Sequence, residues 1–168
     1  MSAFVGTWVC FGKPVGRLAL VCAALALVGC RSKVPPYEGK SVAQLEAMLQ
    51  STDPAAQAQA AYGLSKLGAE ARPAVPALIA ALKGKETLLR GRAALALGKV
   101  GPEAVAAVPA LTEALRDPEW TVRRQAAVAL GLIGPQAQAA APALEKLGRD
   151  TNHLVAKAAQ DALRQVRK

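Results

Sequence analysis

Few residues in this chain are of a type, and in a place, to do chemistry. Its three thiols, Cys10, Cys22 and Cys30, lie near the amino terminus, and its one imidazole, His153, lies near the other end. Cys30 closes an uncharged run, Leu18 to Gly29 (LALVCAALALVG), and Arg31, Ser32 and Lys33 come directly after it. A bilayer-spanning helix needs roughly 18 or more apolar residues, so the run is short for a span. It suits the apolar core of a secretory signal, about 7–15 residues preceded by positive charge, which Lys13 and Arg17 supply. His153 has no second imidazole or thiol beside it in the pattern, so no metal set is expected. The serines are few, and none has a histidine placed to activate it. Glu86 and Glu119 fall at helix starts, where carboxylates complement the helix dipole. The glycines are spaced as helix ends, not as a phosphate loop. No enzyme activity, cofactor, metal or small-molecule substrate is expected.

Leu27-Val28-Gly29-Cys30 resembles the lipobox of bacterial lipoproteins. In that family the cysteine is lipidated on sulfur, the signal is cut just before it, and the new amino terminus is acylated. A thiolate is the nucleophile such lipidation needs, and a small residue before it admits the peptidase. The resemblance implies a signal peptide over residues 1–29 and a lipidated Cys30. Several acyl chains, at about 0.8 kcal/mol per buried methylene, make a lasting anchor. It also implies a location in the bacterial cell envelope. Arg31 after the cysteine, where an aspartate would signal inner-membrane retention, resembles the outer-membrane default facing the periplasm. The segment before the apolar core is long, and a start at Val5, Val9 or Val15 is expected instead. The mature chain then keeps one cysteine, and the net charge of +9 falls to +7 without Lys13 and Arg17. Residues 30–41, with two prolines and several charges, read as the lipidated cysteine and a linker.

Residues 42–168 repeat every 33 positions without a gap. Leu45, Leu78, Leu111 and Leu144 align, as do Ala60, Ala93, Ala126 and Ala159, then Leu64, Leu97, Leu130 and Leu163. Each block reads as two helices. Leu111 and Leu115 share one face of the first, and Pro109 sits in its first turn, where a missing N–H does no harm. Val122, Ala126, Leu130 and Ile133 form the buried stripe of the second. Gly134 and Pro135 then predict a left-handed glycine and a stop. Ser41 is placed to cap the first helix. Tyr37 in the linker could fold back onto the exposed edge of the first repeat. Alanine is abundant and rings are few, which favours closely packed helices.

The block VPALTEALRDPEWTVRRQAAVALGLIGPQA resembles the HEAT repeat in its short bacterial form, through its Pro-Ala-Leu opening, Asp-Pro turn, Val-Arg helix start and Ala-Leu-Gly close. The resemblance implies an all-α fold, a short right-handed α-solenoid of four HEAT-like helix pairs, with second helices lining a concave groove. It also implies a ladder in which Arg90 reaches Asp117 and Arg123 reaches Asp150. Ser51 and Gly84 replace the turn aspartate in the first two blocks, and Gln57 and Ala156 replace the arginine in the outer two. As exposed pairs these rungs would be worth roughly 0–1 kcal/mol each. Some bilin lyases contain similar repeats, but nothing in this sequence carries lyase chemistry.

If Val122, Ala126, Leu130 and Ile133 face the core, then Arg124, Val128 and Leu132 face the groove. The 33-residue period places Tyr62, Leu95 and Val128 side by side, with Lys66, Arg92, Lys99 and Arg124 around them. Apolar residues in a polar rim suit a binding surface. The expected function is a membrane-anchored scaffold for a protein or peptide partner bearing apolar and acidic side chains. Its alternative is a structural subunit of an envelope assembly. Tyr62→Ala with Leu95→Ser is expected to weaken partner capture and leave stability almost unchanged. Nucleic acid is disfavoured by export and by the shortage of rings for base stacking.

Overall fold

A computed structural model describes residues 36–168; the signal segment, the lipobox and Cys30 lie outside the described residues. The described chain is an all-α solenoid of four helix pairs: α1 (Val42–Leu49) with α2 (Pro54–Leu67), α3 (Val75–Ala81) with α4 (Thr87–Val100), α5 (Val108–Ala114) with α6 (Trp120–Ile133), and α7 (Ala141–Leu147) with α8 (His153–Val166).

Local chemistry sets the ends of these helices. Ser41 caps α1 in a reciprocal box: its Oγ accepts the Gln44 N–H at 3.4 Å, and its own N–H donates to Gln44 Oε1 at 2.9 Å. Asp53 caps α2 and Asn152 caps α8 through their side-chain oxygens. Gly68, Gly101 and Gly134 end α2, α4 and α6 at φ 58°, 76° and 76°. Their ψ values, −128°, −143° and −144°, lie outside the left-handed helical well, in a region that glycine alone enters freely.

The α-helices end there, as the glycines and Gly-Pro pairs predict, but the chain does not turn into an irregular loop. It continues into 3-10 segments Gly68–Ala74, Gly101–Ala107 and Gly134–Ala140. Pro102 and Pro135 open two of these, because a first turn tolerates a missing N–H as well in a 3-10 helix as in an α-helix. Two of the segments bend at Ala104 and Ala137, so each is a pair of short turns. Ala71, Ala74, Ala104, Ala107, Ala137 and Ala140 are fully buried in them, and such small side chains let each segment lie flat on the array.

The second helices α2, α4, α6 and α8 pack consecutively in one tight layer, whereas the first helices hardly touch one another. Small residues set the tight spacing. A Cβ added at Gly98 would lie 2.8 Å from Ala129 Cα, and one at Gly131 would lie 2.9 Å from Ala162 Cα. The closer layer is the inside of the curve, so the second helices form the concave face. Leu45, Leu64, Leu78, Leu97, Leu111, Leu130, Ile133 and Leu144 fill the space between layers with less than 2% of their surface exposed. The runs Thr87–Ala114 and Trp120–Leu147 are long and apolar enough to cross a bilayer. Each is two helices broken at a positive-φ glycine, and about half of each is buried in the array.

The two edges are closed differently. At the first, Tyr37 of the linker lies on α2. Its Cβ would be 2.6 Å from a Cβ at Gly63, the position held by Ala96, Ala129 and Ala162 in the later repeats. Ala129 and Ala162 meet Gly98 and Gly131 of the preceding repeat; among the described residues no repeat precedes the first, and Tyr37 lies in that place. At the other edge, α8 carries Gln160 and Arg164 where the preceding repeat sets Ala127 and Gly131 against its neighbour. A polar outer face suits a terminal repeat.

Candidate partner-binding face

The repeat ladder holds the face in shape. Arg90 Nε and Nη2 donate to Asp117 Oδ2 and Oδ1 at 2.7 and 3.0 Å, and Arg123 donates to Asp150 in the same fork at 2.8 and 3.1 Å. Each arginine also donates backwards through Nη1 to two carbonyls of its own repeat's turn, Gly84 and Lys85 for Arg90, Asp117 and Pro118 for Arg123. Each aspartate accepts the N–H two residues on, from Glu119 at 2.9 Å and Asn152 at 2.8 Å.

The rungs are not the exposed pairs that surface positions suggest. Side-chain exposure is 13% and 8% for Arg90 and Asp117, and 17% and 9% for Arg123 and Asp150, because the next repeat's turn folds over each fork. Loss of one partner therefore strands a largely desolvated charge, which is worth more than a surface pair. The hydrogen bond to Asp117 holds the Arg90 guanidinium above its ordinary value. Burial pushes the Asp117 carboxyl up, but the Arg90 fork and the Glu119 N–H outweigh it, and the group lies below the usual carboxylate range. Asp150 is lowered chiefly by its hydrogen bonds with Arg123.

In the first repeat Gln57 Nε2 donates to the Ser51 carbonyl at 2.8 Å, and Ser51 Oγ accepts the Asp53 N–H at 3.0 Å. These residues keep the local half of the ladder's work and omit the bridge to Gly84.

On the concave face, charge is segregated. The four second helices carry Lys66, Arg90, Arg92, Lys99, Arg123, Arg124, Lys157 and Arg164 against Asp161 alone, and the other carboxylates sit on first helices, 3-10 segments and turns. Arg90 and Arg123 are spent on the ladder, and Arg164 pairs with Asp161. Among the described residues no carboxylate pairs with Lys66, Arg92, Lys99, Arg124 or Lys157.

The predicted site residues fall into two groups. Leu95 and Val128 are half-buried, and Leu132 is 47% exposed. Arg124, Val128 and Leu132 of α6 face Leu154, Lys157 and Asp161 of α8 across an open groove of about 580 Å³. Tyr62 differs from the expectation. Its ring packs edge-on against Tyr37, with centroids 5.2 Å apart, and Lys66 Nζ and Arg92 Cζ lie over it at 5.0 and 5.3 Å. It is a support for the linker and for two cations rather than an open member of the apolar row, so Tyr62→Ala reaches stability as well as binding.

Leu88, Trp120 and Leu154, 58%, 39% and 40% exposed, were not in the predicted row. They lie in the first turns of α4, α6 and α8, and a search of one helical row passes over them. His153 is exposed at the start of α8, and among the described residues no three His, Cys, Asp or Glu side chains cluster.

The array matches the family of HEAT repeats over residues 75–164, and the PBS lyase HEAT-like repeat over residues 56–84. No curated protein matches the sequence. Among solved structures, an engineered protein is 29% identical with a TM-score of 0.65, over 75% of this chain and 62% of that one. The complex of CpcE and CpcF of phycocyanin lyase from Nostoc sp. includes a chain 26% identical with a TM-score of 0.55, over 76% and 65%. A designed armadillo repeat protein in complex with the peptide (KR)4 shares the fold at 19% identity and a TM-score of 0.66, over 74% and 64%. The chain thus spans less than two thirds of the length of each of these structures. With more than half its residues inside the HEAT-repeat match and four 33-residue helix pairs stacked in one array, the chain belongs to the HEAT-repeat family.

Proposed function

We propose that the concave face binds a protein or peptide segment carrying acidic and apolar side chains, and that the array is held at a bacterial envelope membrane by lipid on Cys30. The observation that carries the binding reading is the charge segregation. Five cations without carboxylate partners surround half-buried Leu95 and Val128 and exposed Leu132. Like charges kept together and left unpaired favour a ligand of opposite sign. The designed armadillo neighbour holds a peptide of lysines and arginines. This face has the opposite preference, so that ligand does not transfer. The phycocyanin lyase neighbour is a relative by fold; we read this chain as a binder and not a catalyst.

The anchor reading rests on the uncharged run that ends in Leu27-Val28-Gly29-Cys30. Placement at the outer membrane rests on Arg31 in the position after Cys30.

Photo-cross-linking in intact cells from a reactive residue at Val128, with mass spectrometry of the products, tests the face. The expected product is a recurrent adduct to an acidic segment, lost in Lys99→Glu with Arg124→Glu. Adducts unaffected by that charge reversal would refute it. Cys30→Ser tests the anchor: processing, acyl labelling and membrane partitioning should all be lost, and a variant still cut after Gly29 and still membrane-bound would sink the lipoprotein reading.

A further inference from the structure

Gly91 lies in the middle of α4, where glycine is about 1 kcal/mol less favourable than alanine. Neither packing nor backbone conformation requires it. A Cβ there would meet nothing nearer than Val122 Cγ2 at 4.0 Å, and Gly91 is not among the positive-φ glycines. The equivalent positions in the other repeats are Ala58, Arg124 and Lys157, all with side chains. What the missing side chain leaves is space. Gly91 is the floor of an open cleft of about 380 Å³ between α4 and α6, walled by Leu88 and Leu95 on one side and Thr121 and Gln125 on the other. Arg92 stands at its rim, steadied by the Tyr62 ring and unpaired among the described residues. Across α6 this cleft adjoins the groove lined by Arg124 and Val128.

We infer that the cleft over Gly91 receives one bulky apolar side chain of the bound segment, while Arg92 takes a carboxylate beside it. The occupant is part of a longer chain. Pockets for small molecules enclose most of their ligand, and this one is shallow and open, with a basic groove leading away from it. Charge complementarity specifies the neighbour of the anchoring side chain as aspartate or glutamate. The inference rests on the concave-face reading above and adds the side-chain preference.

The test uses the full chain and three short labelled peptides: one of glutamate and glycine with a central leucine, the same with alanine for leucine, and a lysine counterpart of the first. The leucine peptide should bind wild type about tenfold more tightly than the alanine peptide, as burial of the larger side chain allows. Gly91→Met should fill the cleft and bring that ratio close to one, with a thermal midpoint at or above wild type because a glycine has left a helix. Leu88→Ser, at an exposed wall position, should lower the same ratio without touching the core. A leucine preference that survives both substitutions overturns the inference. Equal binding of the leucine and alanine peptides to wild type also overturns it but leaves the concave-face reading standing. No glutamate peptide binding above the lysine control overturns both.

Discussion

The seat of Tyr37 on Gly63 makes a prediction whose sign depends on background. Gly63 lies inside α2, and glycine to alanine at an open helical position stabilises by about 1 kcal/mol. Here the new Cβ would fall 2.6 Å from Tyr37 Cβ and 3.1 Å from Leu45 Cδ2. The leucine methyl has only to give by a few tenths of an ångström. The tyrosine cannot stay, since its Cβ is fixed to the backbone of the linker. Displacing it forfeits the edge-on contact with Tyr62, worth about 0.5–1.5 kcal/mol beyond area burial, and part of the burial of a large ring, worth about 1–2 kcal/mol. Gly63→Ala in the wild-type chain should therefore be destabilising by about 1 kcal/mol net. In a Tyr37→Gly background the seat is already empty, and the same substitution should stabilise by about 0.5–1 kcal/mol. Urea midpoints of the four members of the cycle, at constant slope, give both values. Stabilisation by Gly63→Ala in both backgrounds would show that the linker does not sit on α2.

The ladder and the core supply the other tests. Asp150→Ala should destabilise by about 2–4 kcal/mol, because it strands the Arg123 guanidinium under the last turn and frees the Asn152 N–H. Arg123→Met with Asp150→Ala should lose much less than the two single changes together, and additive losses would mean that the rung is solvated after all. Both carboxyls are lowered in the folded chain, so their contribution is fully present above the ordinary carboxylate pKa, about 4, and drains away as pH falls through the folded values. Urea midpoints at pH 3 and pH 7 should differ more for wild type than for Asp117→Asn with Asp150→Asn. Leu97→Ala and Leu130→Ala, fully buried in inner repeats, should each destabilise by about 2–5 kcal/mol, and Leu163→Ala, half-buried in the last, by less. Equal losses at all three would argue against an array with a weaker end.

Much of this molecule is written in its period. A residue that recurs every 33 positions meets the same surroundings each time, so four copies of Leu45, Ala60 and Leu64 reveal helix pairs and a shared core without coordinates. The partners Arg90–Asp117 and Arg123–Asp150 come from the same translation together with the HEAT resemblance. The helix caps at Ser41 and the breaks at Gly101 and Gly134 are local chemistry, equally plain in one dimension.

What breaks the period was settled only in three dimensions. Tyr37 and Gly63 are not equivalent positions, and their contact depends on how a linker outside the repeat folds over its first helix. The forks are largely desolvated because the aspartate of each comes from the next repeat's turn, which closes over the arginine, and that approach of two repeats is not encoded in either one alone. The 3-10 segments after α2, α4 and α6 carry fully buried alanines that let them lie flat on the array. The cleft over Gly91 depends on side chains from two helices framing a missing one. Sequence periodicity determined which residues are alike; tertiary packing decided which unlike residues meet, because that depends on distances between helices that no single helix encodes.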